Sequence, residues 1–97
     1  MIISFADSAT EDLFHGRQTA RSRRFPAALV AMALQKLDIL NAAADLEDLR
    51  RPPGNRLEAL KGDLRGLHSI RVNAQWRIVF RWQDQKASQV QLIDYHS

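Results

Sequence analysis

The run Trp76-Arg77-Ile78-Val79-Phe80-Arg81-Trp82 puts large apolar side chains at even positions and arginine at two of the odd ones. Successive side chains of an extended chain point to opposite faces. As a strand, this run has one face of Trp76, Ile78, Phe80 and Trp82, which needs a core. Its other face carries Arg77 and Arg81, which need water or an anion. Residues 67–72 repeat the pattern, with Ile70 and Val72 apolar and Ser69 and Arg71 polar. Asn73-Ala74-Gln75 joins the two runs as a short hairpin loop. A polar turn over 83–88 leads to a last strand over 90–95, and 56–60 is a further candidate strand with Lys61-Gly62-Asp63 as its turn.

The first half of the chain has a different period. Ile2-Ile3-Ser4-Phe5 reads as a short strand. Asp7 or Ser8 can cap a short helix over 9–15, which Gly16 stops. Residues 17–24 are polar and basic without a hydrophobic period, so Arg21, Arg23 and Arg24 read equally as plain surface or as a phosphate-contacting arm. Pro26 opens a long helix to about 43, because a first-turn residue needs no N–H partner. Leu29, Ala33, Leu37 and Leu40 form its buried stripe. Residues 44–49 add one more helical turn, and Pro52-Pro53-Gly54-Asn55 breaks the helical half from the sheet half. The expected fold is one α+β domain over 1–97. An N-terminal strand and two to three helices pack on one face of a twisted, largely antiparallel sheet. The other face, with Arg71, Arg77 and Arg81, is expected to stay open to solvent.

Charge follows the same division. Residues 1–48 hold five Lys/Arg against seven Asp/Glu, and residues 49–97 hold nine against four. The overall charge of +3 therefore concentrates in the sheet half. Eleven of the fourteen basic residues are arginine, whose fork suits bidentate phosphate contact. Cysteine is absent, which excludes disulfide and thiolate chemistry. The three histidines, His15, His68 and His96, are dispersed and lack metal-ligand spacing, so neither a metal nor another cofactor is expected. No apolar run is long enough to span a bilayer, and the N-terminus lacks a signal-peptide layout. The expected setting is soluble and cytoplasmic, away from membranes.

Three stretches resemble the HigB toxins of the RelE superfamily of bacterial toxin–antitoxin systems. They are Gly54-Asn55-Arg56-Leu57-Glu58-Ala59-Leu60-Lys61-Gly62, His68-Ser69-Ile70-Arg71-Val72-Asn73-Ala74-Gln75-Trp76-Arg77-Ile78, and the closing Asp94-Tyr95-His96. The resemblance covers nearly the whole chain and looks closest to the chromosomal branch. It implies a RelE-like α+β fold and a ribosome-dependent endoribonuclease that cuts mRNA in the A site of the 70S ribosome. It also implies a HigA-like helix-turn-helix antitoxin as partner, with operator DNA reached only through that antitoxin.

Metal-independent cleavage of this kind uses the 2′-OH as nucleophile on the adjacent phosphate. One group takes the hydroxyl proton, another protonates the leaving 5′-oxygen, and cations stabilise the charge of the transition state. The resemblance assigns catalytic positions to Lys61, Arg77, Tyr95 and His96. An imidazole exchanges protons near neutrality, so His96 suits acid or base duty or an RNA contact. A phenol needs nearby cations to act as a base, and Tyr95 can equally stack on a nucleobase or finish the core edge. Asp94 reads as an orienting partner for His96 or an arginine. Arg77 reads as the phosphate-stabilising arginine of the Trp-Arg-Ile context, and Lys61 as the family's Leu-Lys-Gly lysine. Glu58 is the departure: plasmid-type HigB toxins carry an active-site histidine at the matching place. This carboxylate is either the base or a salt-bridge partner of Arg56 or Lys61. Arg56, Arg65, Arg71 and Arg81 are candidate ribosomal-RNA contacts, which together predict salt-dependent binding. The alternative reading, which Glu58 keeps open, is a non-catalytic module that binds RNA, the ribosome or a partner repressor through a degenerate site.

Overall fold

Pro26 has no N–H to lose, and helix α2 (Ala27–Ala42) begins directly behind it. The structure, a computed structural model, describes residues 1–95. Helix α1 (Ser8–Phe14) precedes α2 and is capped by Asp7, whose Oδ1 accepts from the Thr10 N–H at 2.8 Å. The further helical turn expected over residues 44–49 is present as a separate short helix. The chain turns extended at Ala43 and restarts as α3 (Leu46–Arg50), held by a reciprocal cap between Asp45 and Asp48.

Four strands follow: β1 (Glu58–Ala59), β2 (Leu67–Arg71), β3 (Trp76–Gln83) and β4 (Lys86–Asp94). They lie in the order β1-β2-β3-β4, every pair antiparallel. The N-terminal segment meets β4 through two parallel bridges, Ile2 to Ala87 and Phe5 to Val90, so the expected first strand survives as an edge contact. Strand β4 starts earlier than the sequence suggests. Asp84 and Gln85 both adopt left-handed backbone, at φ 53° and 63°, and make a two-residue turn whose twist matches that of the flanking strands. Gln89 is also left-handed at φ 53°, and the β3–β4 register shifts there, between Val79 and Arg81. This bulge lets the Gln89 N–H reach the Ser4 hydroxyl at 2.9 Å.

The helix stripe is buried as its spacing predicts. Leu29, Ala33, Leu37 and Leu40 pack with Ile70, Val72, Ile78, Phe80, Val90 and Leu92 in one core, flanked by half-buried Trp76 and Trp82. The hydroxyl of fully buried Thr10 accepts from the Leu92 N–H at 3.0 Å, tying α1 to β4. Asp12, on the same helix, pins the 17–24 segment. It accepts from the Thr19 hydroxyl at 2.7 Å and from Arg21 Nε at 3.2 Å, with Arg17 at 3.6 Å. The Thr19 hydrogen bond, with help from the guanidinium groups, holds its carboxyl below the usual range. Arg21 is thus paired with Asp12, and Arg24 lies 3.4 Å from Asp7, which favours the surface reading of this segment over a phosphate-contacting arm. No described helix is long and apolar enough to cross a membrane.

Candidate functional site

Strand pairing places Glu58, Ser69, Val79 and Gln91 in one row across the sheet, and Arg71, Arg77 and Ile93 in the next. These rows lie on the face turned away from the core. The expected open face is only partly open. Val79 is buried there, and Arg77 is only 8% exposed. Arg77 therefore lies out of solvent, contrary to what the alternation of its strand predicts. A guanidinium can leave water only when its donors are satisfied, and this one has partners on three nitrogens.

Arg77 Nε donates to the Ser69 hydroxyl at 2.7 Å. Nη2 donates to the Arg56 carbonyl at 2.6 Å and more weakly to the Ser69 carbonyl at 3.4 Å. Nη1 faces the Glu58 carboxylate at 3.7 Å, an ion-pair distance longer than a hydrogen bond. The Arg56 carbonyl reaches Arg77 from a residue in left-handed backbone, φ 44° and ψ 55°, directly after the 3₁₀ turn Pro53–Asn55. That turn is fixed from below by fully buried Asn55, which donates to the Leu49 carbonyl at 3.1 Å and accepts from Lys36. Strand β1 is consequently only two residues long, shorter than the expected 56–60.

Tyr95 follows β4 on the same face. Its N–H donates to the Gln75 carbonyl at 2.7 Å, and the Arg77 guanidinium carbon sits 5.6 Å from its ring centroid. The ring is 40% exposed, so one side packs on Arg77 while the rest meets solvent. His96 lies outside the described residues.

The structure therefore brings Arg77, Glu58, Tyr95 and the Arg56 carbonyl together. The Glu58 partner is Arg77, where Arg56 or Lys61 was expected. Lys61 is exposed on the turn into the 3₁₀ segment Gly62–Leu64, three residues past Glu58. Asp94 pairs across β3 with Trp76, so it faces the side opposite Arg77, and its Oδ2 accepts from Gln75 at 2.9 Å. It lines a crevice of about 290 Å³ with Asp7, Arg24 and Trp76. Arg71 stands directly across from Arg77 on the same face, half-buried, and Arg81 is exposed two rows further on, beyond buried Val79. Like charges paired across strands disfavour the sheet, so this row is suited to an anion. Arg65 is exposed on the turn before β2, and the Arg56 side chain is also exposed. Ser69 is the contributor that residue-by-residue reasoning missed. Its parity on β2 already placed it on the Arg77 face, diagonal to that arginine. Among the described residues, no three His, Asp or Glu side chains gather closely enough to hold a metal ion.

Comparison with known proteins gives the same family as the sequence resemblance. A family model described as the RelE-like toxin of the type II toxin–antitoxin system HigB matches residues 3–96. Toxin HigB-1 of Vibrio cholerae is 43% identical over 84 residues, which cover 87% of this chain and 86% of that protein. Endoribonuclease HigB of Proteus vulgaris is 33% identical over 96 residues, covering 99% of this chain and all of the relative. Among solved structures, a chain of the heterotetrameric YoeB–YefM toxin–antitoxin complex from Staphylococcus aureus superposes with a TM-score of 0.61 at 15% identity, covering 100% of this chain and 99% of that one. A YoeB/ParE toxin from Agrobacterium tumefaciens gives 0.55 at 21% identity, covering 99% and 100%. These two likenesses carry the fold. This chain belongs to the HigB-like family, the RelE-like toxins of type II toxin–antitoxin systems.

Proposed function

We propose that the protein is an endoribonuclease toxin that cleaves translated mRNA in the ribosomal A site, within the cytoplasm. The observation that carries this reading is the Arg77 guanidinium, held against the Tyr95 ring on the basic face of the sheet. The naming of the Proteus vulgaris relative as an endoribonuclease supports it. In the reaction the 2′-oxygen attacks the adjacent phosphorus and the bond to the 5′-oxygen breaks. The products are a 2′,3′-cyclic phosphate and a free 5′-hydroxyl. Arg77 stabilises the charge on the phosphorane, assisted by Lys61. Tyr95 and His96 carry the two proton transfers, or position the RNA for them. Arg56, Arg65, Arg71 and Arg81 contact the backbone of message and ribosomal RNA. Asp94, turned to the other face, acts through the Gln75 turn. A HigA-like helix-turn-helix antitoxin is the partner, and operator DNA is reached through it.

The ion pair between Glu58 and Arg77 favours the second reading, a ribosome- or RNA-binding module without cleavage, because it sets a carboxylate where a phosphate oxygen belongs. Primer extension on messages from cells expressing the protein separates the two. Cuts inside codons of translated messages, lost in Tyr95→Phe, support the nuclease. Growth inhibition with intact messages supports the binder.

A further inference from the structure

We propose that Ser69 is a positioning residue for RNA cleavage, and that its hydroxyl and the left-handed Arg56 carbonyl together hold the Arg77 guanidinium with the Nη1 edge turned to the scissile phosphate. This rests on the nuclease reading. The Ser69 side chain is fully buried, so its contact with Arg77 Nε is shielded from competing water. A hydrogen bond of 2.7 Å from a charged donor is at the short, strong end of the range. It fixes the root of the guanidinium plane. The Arg56 carbonyl fixes the Nη2 corner at 2.6 Å. Two anchored corners set both the position and the tilt of a planar group, and the third corner, Nη1, faces the exposed Glu58.

Glu58 marks the direction from which an anion approaches. Its side chain is 54% exposed against 9% for Arg77, so it can swing into solvent while Arg77 stays in place. A phosphate oxygen that takes its place meets a guanidinium already oriented, with no reorganisation during the reaction. Arg56 is a non-glycine residue in left-handed backbone, a conformation that persists only where the surroundings hold it. Its carbonyl contact with Arg77 gives that conformation a purpose.

The test uses the full chain on programmed ribosomes carrying a defined message, with Ser69→Ala, Ser69→Thr, Arg77→Gln and Ser69→Ala/Arg77→Gln. Ser69→Ala is expected to lower kcat by up to about 100-fold, the scale of a misplacement near 1 Å, with KM for the ribosome complex retained. Ser69→Thr keeps the hydroxyl and is expected to recover most of that loss. In the Arg77→Gln background, Ser69→Ala is expected to add no further loss. NMR of isotopically labelled protein provides a readout independent of activity: the Arg77 Nε–H resonance is expected to exchange slowly in the parent and rapidly in Ser69→Ala. Equal kcat in parent and Ser69→Ala, an equal further loss in both backgrounds, or an Nε–H unchanged by Ser69→Ala would overturn the assignment. A parent protein that never cleaves would sink the nuclease reading instead, and the Nε–H measurement would still decide whether Ser69 holds Arg77.

Discussion

The guanidinium carbon of Arg77 sits 5.6 Å from the ring centroid of Tyr95, and this pair joins the middle of the sheet to the end of the chain. Arg77 is buried among Ser69, Arg56 and Glu58, whereas Tyr95 remains partly in solvent. The fixed member of the pair is thus the cation, and the accessible member is the phenol.

Arg77→Ala is expected to damage folding as well as activity. It removes the partner of the Arg56 carbonyl and of the buried Ser69 hydroxyl, a loss of about 1–3 kcal/mol. Chemical denaturation of the purified variant measures it. An unchanged midpoint would show that the guanidinium contributes nothing to stability and that its burial is incidental.

Glu58→Gln is expected to leave stability within about 0.5 kcal/mol, because an ion pair with a half-exposed partner contributes little. It also removes the negative charge in front of Arg77. Binding to single-stranded RNA is therefore expected to tighten. Titration at two salt concentrations checks this, and weaker binding would mean that Glu58 itself engages the RNA.

Leu37 is fully buried in the stripe of α2. Leu37→Ala is expected to lower stability by about 2–5 kcal/mol through the cavity it leaves. A parent-like thermal midpoint would show that α2 does not close the core.

His68 stacks on Phe80 with ring centroids 6.1 Å apart and a buried Nδ1 that has no hydrogen-bond partner. Burial, with the Arg50 charge adding to it, pushes the imidazole below its usual 6.5. The unfolded chain then binds the proton more readily than the folded one. Stability is expected to be full above about pH 6.5 and to fall as the pH drops from there through the lower folded value. His68→Phe keeps the stack and removes the titration. A thermal midpoint that declines over the same range in both proteins would place the effect elsewhere.

The alternation of Trp76–Trp82 and the i, i+4, i+8, i+11 stripe of Leu29, Ala33, Leu37 and Leu40 carried the layers of this fold, because a two-faced strand and a one-striped helix have one way to share a core. The early start of β4 was hidden because its turn uses Asp84 and Gln85, with none of the Gly that usually marks left-handed turns. The burial of Arg77 is hidden for a related reason. Alternation reports which side a residue faces, and not whether that side is open to solvent. Its burial depends on Ser69, Glu58 and the Arg56 carbonyl, which converge only when β1 pairs with β2. Asp94 and Tyr95 adjoin in sequence, yet Asp94 turns to the Gln75 side while Tyr95 turns to Arg77.

The most direct test is incubation of the purified protein with a defined message, naked and on programmed ribosomes, followed by mapping of the ends. Cuts are expected inside the A-site codon only with ribosomes, ending in a 2′,3′-cyclic phosphate, and reduced to a small residual rate by Tyr95→Phe or Arg77→Gln in folded protein. An intact message on the ribosome with the parent protein, or unchanged cutting by both variants, would contradict the nuclease reading.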